Sequence, residues 1–106
     1  RGAIPPPAPL TFEMTAPADG VVVGIDNLRL ARIARLAGAP LVQDAGVWLA
    51  RKLGDPVRAG DLLYRLHARH EADLGFARRL ATQDSGYRIG RADELPQAYT
   101  RNGNLS

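Results

Sequence analysis

Residues 19–37 read Asp19-Gly20-Val21-Val22-Val23-Gly24-Ile25-Asp26-Asn27-Leu28-Arg29-Leu30-Ala31-Arg32-Ile33-Ala34-Arg35-Leu36-Ala37. The first half is a β-branched run held between glycines, the composition of a short strand. The second half changes period. Leu30, Ile33, Ala34 and Ala37 recur at helical spacing, Asp26-Asn27 offers an N-cap, and Gly38 with Pro40 closes the helix. A strand that turns directly into a helix over 28–37 predicts a mixed α and β domain, and the flanking sequence extends it in both directions.

Upstream, Phe12 and Met14 alternate with polar neighbours and predict a strand joined to the first through Ala16-Pro17-Ala18-Asp19. Before it, Ile4-Pro5-Pro6-Pro7-Ala8-Pro9 favours an extended polyproline form. Residues 1–10 therefore read as a linker or an extension foreign to the domain, 11–100 as the domain, and 101–106 as a frayed tail. Downstream, 38–46 is too irregular for an element and reads as a surface loop. Residues 47–51 and 62–66 are short strands. Between them, 52–61 forms a stiff turn in which Gly54 and Gly60 allow angles a Cβ forbids and Pro56 fixes its own φ. A second helix is expected over 71–81, with Leu74, Ala77, Leu80 and Ala81 on its apolar face and Arg78-Arg79 at the favourable end of its dipole. Tyr87-Arg88-Ile89 fits an edge strand.

The 106 residues include 14 basic and 11 acidic side chains and no cysteine, with 45% hydrophobic and 6% aromatic residues. That suits one small domain. Disulfides and thiolate zinc sites are excluded. No apolar run approaches the roughly 20 residues of a membrane-spanning helix, and no signal peptide is recognisable, so the expected location is cytoplasmic with no membrane partner. The chain opens on Arg1, and its only methionine is Met14, so a longer parent polypeptide is expected.

The net charge of +3 invites a nucleic-acid reading, but no aromatic platform accompanies the arginines, and no nucleic acid is expected as a partner. Arg29, Arg32 and Arg35, spaced three apart, form a cationic stripe whose expected use is contact with another domain or an acidic partner. Trp48, the single tryptophan, alternates with Val47 and Leu49 and is a further candidate contact residue.

Candidate chemistry is sparse. The turn Gly54-Asp55-x-Val57-x-x-Gly60-x-x-Leu63 is similar to that of biotinyl and lipoyl carrier domains, but Lys52 precedes it and no lysine follows, so no cofactor is expected. His67, His70 and Glu71 share a neighbourhood in sequence, yet one histidine ends a strand and the other begins a helix beside arginines, so no metal site is expected. Asp19, Asp55 and Asp61 stand where turns favour aspartate, and Asp73 pairs with none of them. No nucleophile has a base beside it, and no phosphate loop or dinucleotide fingerprint occurs. No catalytic residue is assigned.

The string Asp19-Gly20-Val21-Val22-Val23-Gly24-Ile25-Asp26-Asn27, the helix around Leu30-Ala31-Arg32-Ile33-Ala34-Arg35, the loop Ala37-Gly38-Ala39-Pro40, then Ala45-Gly46-Val47-x-Leu49, Leu53-Gly54-Asp55-Pro56-Val57-x-x-Gly60-x-x-Leu63-Tyr64 and His67-Ala68 together resemble the C-terminal domain of the thymidine and pyrimidine-nucleoside phosphorylases. The likeness covers about half the chain, from 18 to 68. The Ala-Gly-Ala-Pro loop is more similar to the AMP phosphorylase and thymidine phosphorylase-like branch, where other thymidine enzymes carry a glycine-rich stretch ending in arginine. The base and the phosphorylation state of the substrate therefore stay open.

The resemblance implies an α+β fold, an α/β hammerhead or barrel-sandwich-hybrid-like small domain with short strands and two helices. It implies a homodimeric parent pentosyltransferase, a glycosyltransferase of nucleoside salvage, whose remainder binds phosphate and a pyrimidine nucleoside. In that reaction phosphate attacks the anomeric carbon, the pyrimidine leaves, and a pentose 1-phosphate forms. The family's catalytic signature is absent from these residues, so this chain is expected to be a non-catalytic C-terminal domain. Two alternatives stand beside it: the corresponding domain of an AMP phosphorylase, and a stand-alone barrel-sandwich module that recognises an acidic partner through arginine.

Overall fold

The computed structural model describes residues 10–39 and 45–95. The polyproline stretch, the middle of the loop 38–46 and the tail 101–106 lie outside the described residues. Six strands and two helices follow in the order β1 (Leu10–Thr15), β2 (Gly20–Ile25), α1 (Asn27–Ala37), β3 (Gly46–Leu49), β4 (Pro56–Val57), β5 (Leu62–Ala68), α2 (Glu71–Gln83) and β6 (Tyr87–Gly90), with a 3-10 turn at Ala92–Glu94. The strands form two antiparallel three-stranded sheets, ordered β1-β5-β3 and β4-β2-β6, which together with the helices make a small α+β domain. No helix among the described residues is long and apolar enough to cross a membrane.

β1 and β2, joined through 16–19, do not pair with each other; each enters a different sheet. At that crossing Ala16 is buried and donates its N–H to Asp61 O at 2.8 Å, while Asp19 Oδ1 accepts Ala59 N–H at 2.8 Å. The turn at 52–61 is stiff for the expected reasons, with Gly54 and Gly60 at φ +93° and +92°. Asp55 and Asp61 each accept the N–H of the residue three before, Lys52 and Arg58. The turn also holds β4, too short to show in sequence, which pairs Val57 with Gly20 and Pro56 with Val21. Gly20 has no room for a side chain. A Cβ there would stand 2.7 Å from Gly90 O and 2.8 Å from Ile89 Cγ2, so the β2–β6 pairing requires glycine.

β5 runs down the middle of the first sheet and presents Tyr64, Leu66 and Ala68 to the helices, all fully buried. α1 lays Leu30, Ile33 and Ala37 against this face and α2 lays Ala77 and Ala81. Alanine at the contacts of both helices and of β5 lets their backbones approach closely, so a short chain encloses a dry core. The opposite face of the sheet carries Glu13, Arg65 and Trp48 as one cross-strand row.

α1 matches the sequence expectation, with Asp26 as N-cap accepting Arg29 N–H at 3.0 Å and Gly38 as C-cap. α2 runs two residues further than the apolar pattern indicates, to Gln83. Arg78 and Arg79 therefore do not sit in its last turn, which contains no basic side chain of its own. The charge that meets this end of α2 comes from elsewhere.

Candidate functional site

The group that meets it is Arg29. Its guanidinium donates to Leu80 O at 2.7 Å, in the last turn of α2, and to O of the C-cap Asp84, and the side chain is only 17% exposed. Arg29 lies on the margin of α1's buried face, one turn from Ile33, and so turns inward while Arg32 and Arg35 stay exposed. The stripe read from sequence is therefore divided: one arginine ties the start of α1 to the end of α2, and two remain on the surface. The spacing alone groups all three, but two signals separate them. Arg29 borders the apolar arc, and α2 ends without a basic residue.

Further polar contacts surround this tie. Asp26 N–H donates to Gly86 O at 2.7 Å, and Gly86 N–H to Asp84 Oδ1 at 2.9 Å. Tyr64 OH donates to Ser85 O at 2.8 Å, and Tyr87 OH to Arg51 O. The two phenol rings are 5.6 Å apart and tilted by 40°. A groove of about 420 Å³ lies over the joint, lined among others by Ile25, Asp26, Asp84, Tyr87 and Arg88. It meets a second groove of about 320 Å³, lined by Leu49, Lys52 and Asp55, at Ile25.

The electrostatics of the joint hold its phenols protonated. Burial pushes the Tyr64 phenol well above its ordinary value, with Tyr87 and Asp84 adding to the shift and Arg29 opposing it; burial and then Asp55 raise Tyr87. Below pH 10, the ordinary phenol value, these groups are protonated in both folded and unfolded chains and stability does not depend on them. Above it the unfolded chain releases protons that the folded chain keeps. Stability then falls by up to about 1.4 kcal/mol per pH unit for each tyrosine. Thermal midpoints measured from neutral pH upward should stay level and then drop above pH 10. Tyr64→Phe should make the drop shallower.

Among the described residues Ser85 Oγ donates to Tyr87 O and accepts its N–H, and Thr82 donates to Arg79 O; these are turn and helix-end contacts. His67 lies within β5 and His70 is the N-cap of α2, so the two belong to different elements. No three His, Asp or Glu side chains among the described residues gather as metal ligands. Lys52 is exposed in the turn before β4, on the rim of the second groove. Trp48 is 53% exposed, and the Arg65 guanidinium sits 5.4 Å from its ring centroid while bonded to Glu13 Oε2 at 3.1 Å. Leu49, on the opposite side of β3, is also exposed, at 45%.

The fold and this joint define a small α+β module in which Arg29 and Asp26 at the start of α1 are bonded to the end of α2 and to the connection into β6. The family described as "Pyrimidine nucleoside phosphorylase C-terminal domain" matches residues 21–88, well over half of the chain. The chain belongs to that family. A "Putative thymidine phosphorylase" of Albidiferax ferrireducens is 53% identical over 91 residues, which cover 86% of this chain and 17% of the relative. One of the same name from Methylococcus capsulatus is 50% identical over 93 residues, covering 88% and 18%. An "AMP phosphorylase" of Natronomonas pharaonis is 43% identical over 88 residues, covering 83% and 18%. The chain thus spans less than a fifth of the length of the relatives it matches.

Proposed function

We propose that this chain is the non-catalytic C-terminal module of a cytoplasmic, homodimeric pentosyltransferase that cleaves pyrimidine nucleosides with phosphate. A phosphate oxygen attacks the anomeric carbon, the C–N bond to the base breaks, and its electron pair leaves on the base, which takes up a proton. This step needs cationic and hydroxyl donors around phosphate and donors on the base oxygens. The module supports the larger part of the enzyme, where phosphate and nucleoside bind, and no cofactor or metal is assigned to it. Its surface candidates, Arg32, Arg35 and Trp48, are contacts to that larger part, while Arg29 acts within the module.

The observation that carries this reading is the family match over 21–88, on a domain in which the Thr82 and Ser85 hydroxyls donate to backbone carbonyls of their own helix end and turn. An AMP phosphorylase parent is the second reading, favoured by the Ala37-Gly38-Ala39-Pro40 loop and by the 43% identity to a protein of that name. The full-length polypeptide is expected to release free base from thymidine only when phosphate is present, whereas the 106 residues alone release none. Release from AMP in place of thymidine would move the parent to the second reading. Turnover by the 106-residue chain at an enzyme-like rate would refute the non-catalytic assignment.

A further inference from the structure

Helical geometry places Leu30, Ile33 and Ala37 within an arc of about 60°, and Leu28, Arg32 and Arg35 within another arc of about 60° on the far side of α1. The first set is buried and the second exposed, as the fold requires. Leu28 is 80% exposed, more than any other large apolar side chain described, and α1 contains no acidic residue. Arg29, Arg51, Arg65 and Arg91 each face a carboxylate of this chain, at 3.9, 3.6, 3.1 and 3.4 Å. Arg32 and Arg35 face none among the described residues.

An exposed leucine in line with two guanidinium groups that face no carboxylate among the described residues specifies its complement: an apolar depression with carboxylates beside it. Phosphate backbones would satisfy the arginines but give Leu28 nothing to bury against, which favours a protein surface. We propose that the outer face of α1, with Leu28 at its N-terminal end and Arg32 and Arg35 in the next two turns, docks on a carboxylate-bearing surface in the part of the parent polypeptide that lies outside these 106 residues. This rests on the reading of the chain as one module of a larger phosphorylase. The matched residues make up only 17% of the relative in Albidiferax ferrireducens, so most of the surface available to cover α1 lies in the remainder.

The 106 residues contain no cysteine, so Leu28→Cys introduces a single thiol to them at a position too exposed to disturb the core. Its maleimide labelling, followed by peptide mass spectrometry, is compared in the 106-residue chain and in the full-length polypeptide. Labelling should be about tenfold slower or more in the full-length protein, as for a side chain covered by an interface. Adding Arg32→Glu and Arg35→Glu should restore fast labelling, and Arg35→Cys should show the same protection as Leu28→Cys. Equal rates in the two contexts would overturn the proposal. Slow labelling in the 106-residue chain that deepens with its concentration would also overturn it, in favour of a second copy. Fast labelling in a full-length protein that still carries out phosphorolysis defeats the docking face alone. Protection in a protein without phosphorolysis keeps the face and defeats the functional reading.

Discussion

Tyr64→Ala is expected to destabilise the domain by about 3–5 kcal/mol, the range for removing a large buried aromatic side chain. Tyr64 stands in the middle strand of the first sheet, is fully buried, and is the largest such side chain in the domain. Its ring packs against Tyr87 and its hydroxyl satisfies Ser85 O, at the connection between α2 and β6. Truncation therefore opens a cavity where the two helices, the sheet and that connection meet, and leaves a carbonyl without its partner. Small domains have net stabilities of about 5–15 kcal/mol, so the thermal midpoint should fall by roughly 15 °C or more. Tyr64→Phe keeps the ring and loses only the hydroxyl, at about 1 kcal/mol. Differential scanning calorimetry of both variants separates the packing contribution from the hydrogen bond. Equal midpoints for Tyr64→Ala and the parent sequence would show that this side chain is not part of the core.

Arg29→Ala should cost about 2–3 kcal/mol, more than surface arginines normally contribute. Two charge-assisted bonds to Leu80 O and Asp84 O disappear, and the negative end of the α2 dipole, whose last turn has no basic residue of its own, loses the charge that faces it. The ion pair with Asp84 contributes little, since it spans 3.9 Å and that carboxylate is 64% exposed. Arg29→Lys should recover part of the loss, because an ammonium keeps the charge but lacks the planar fork that reaches both carbonyls. Arg32→Ala and Arg35→Ala, with no partner in the described chain, should leave the midpoint of the 106 residues almost unchanged. Chemical denaturation of the four variants measures the contrast, and equal losses at all three arginines would contradict the division of the stripe.

These two residues also mark where the sequence stops being informative. α1 is legible because its signals are local: Asp26 caps, Gly38 ends, and the apolar period lies within eleven residues. The β-branched run of β2 and the alternation of β5 are local too. Strand order is not, because β1 pairs with β5 and β2 with β6 across long stretches of chain, and alternation says which face a residue takes but not which strand it joins. Alternation correctly puts Val47 and Leu49 on the side of β3 away from Trp48, yet Leu49 stands at the strand end and is still exposed. α2 outlasts its apolar pattern because its last two residues, Thr82 and Gln83, are polar and exposed and so add nothing to the apolar period. Arg29 and Tyr64 depend on partners contributed by residues 80–87, which no local pattern connects to them. The family likeness was readable between 18 and 68 because turn glycines and prolines there keep fixed spacings, and the matched region extends it to 88.

On the proposed function, these residues brace an enzyme and hand no group to its substrate. Amide chemical shifts of the isotope-labelled 106-residue chain, followed while orthophosphate and thymidine are added separately and together, test it most directly. The shifts are expected to stay in place up to millimolar ligand. Saturable movement at micromolar concentrations, clustered on one groove of this chain, would contradict the account.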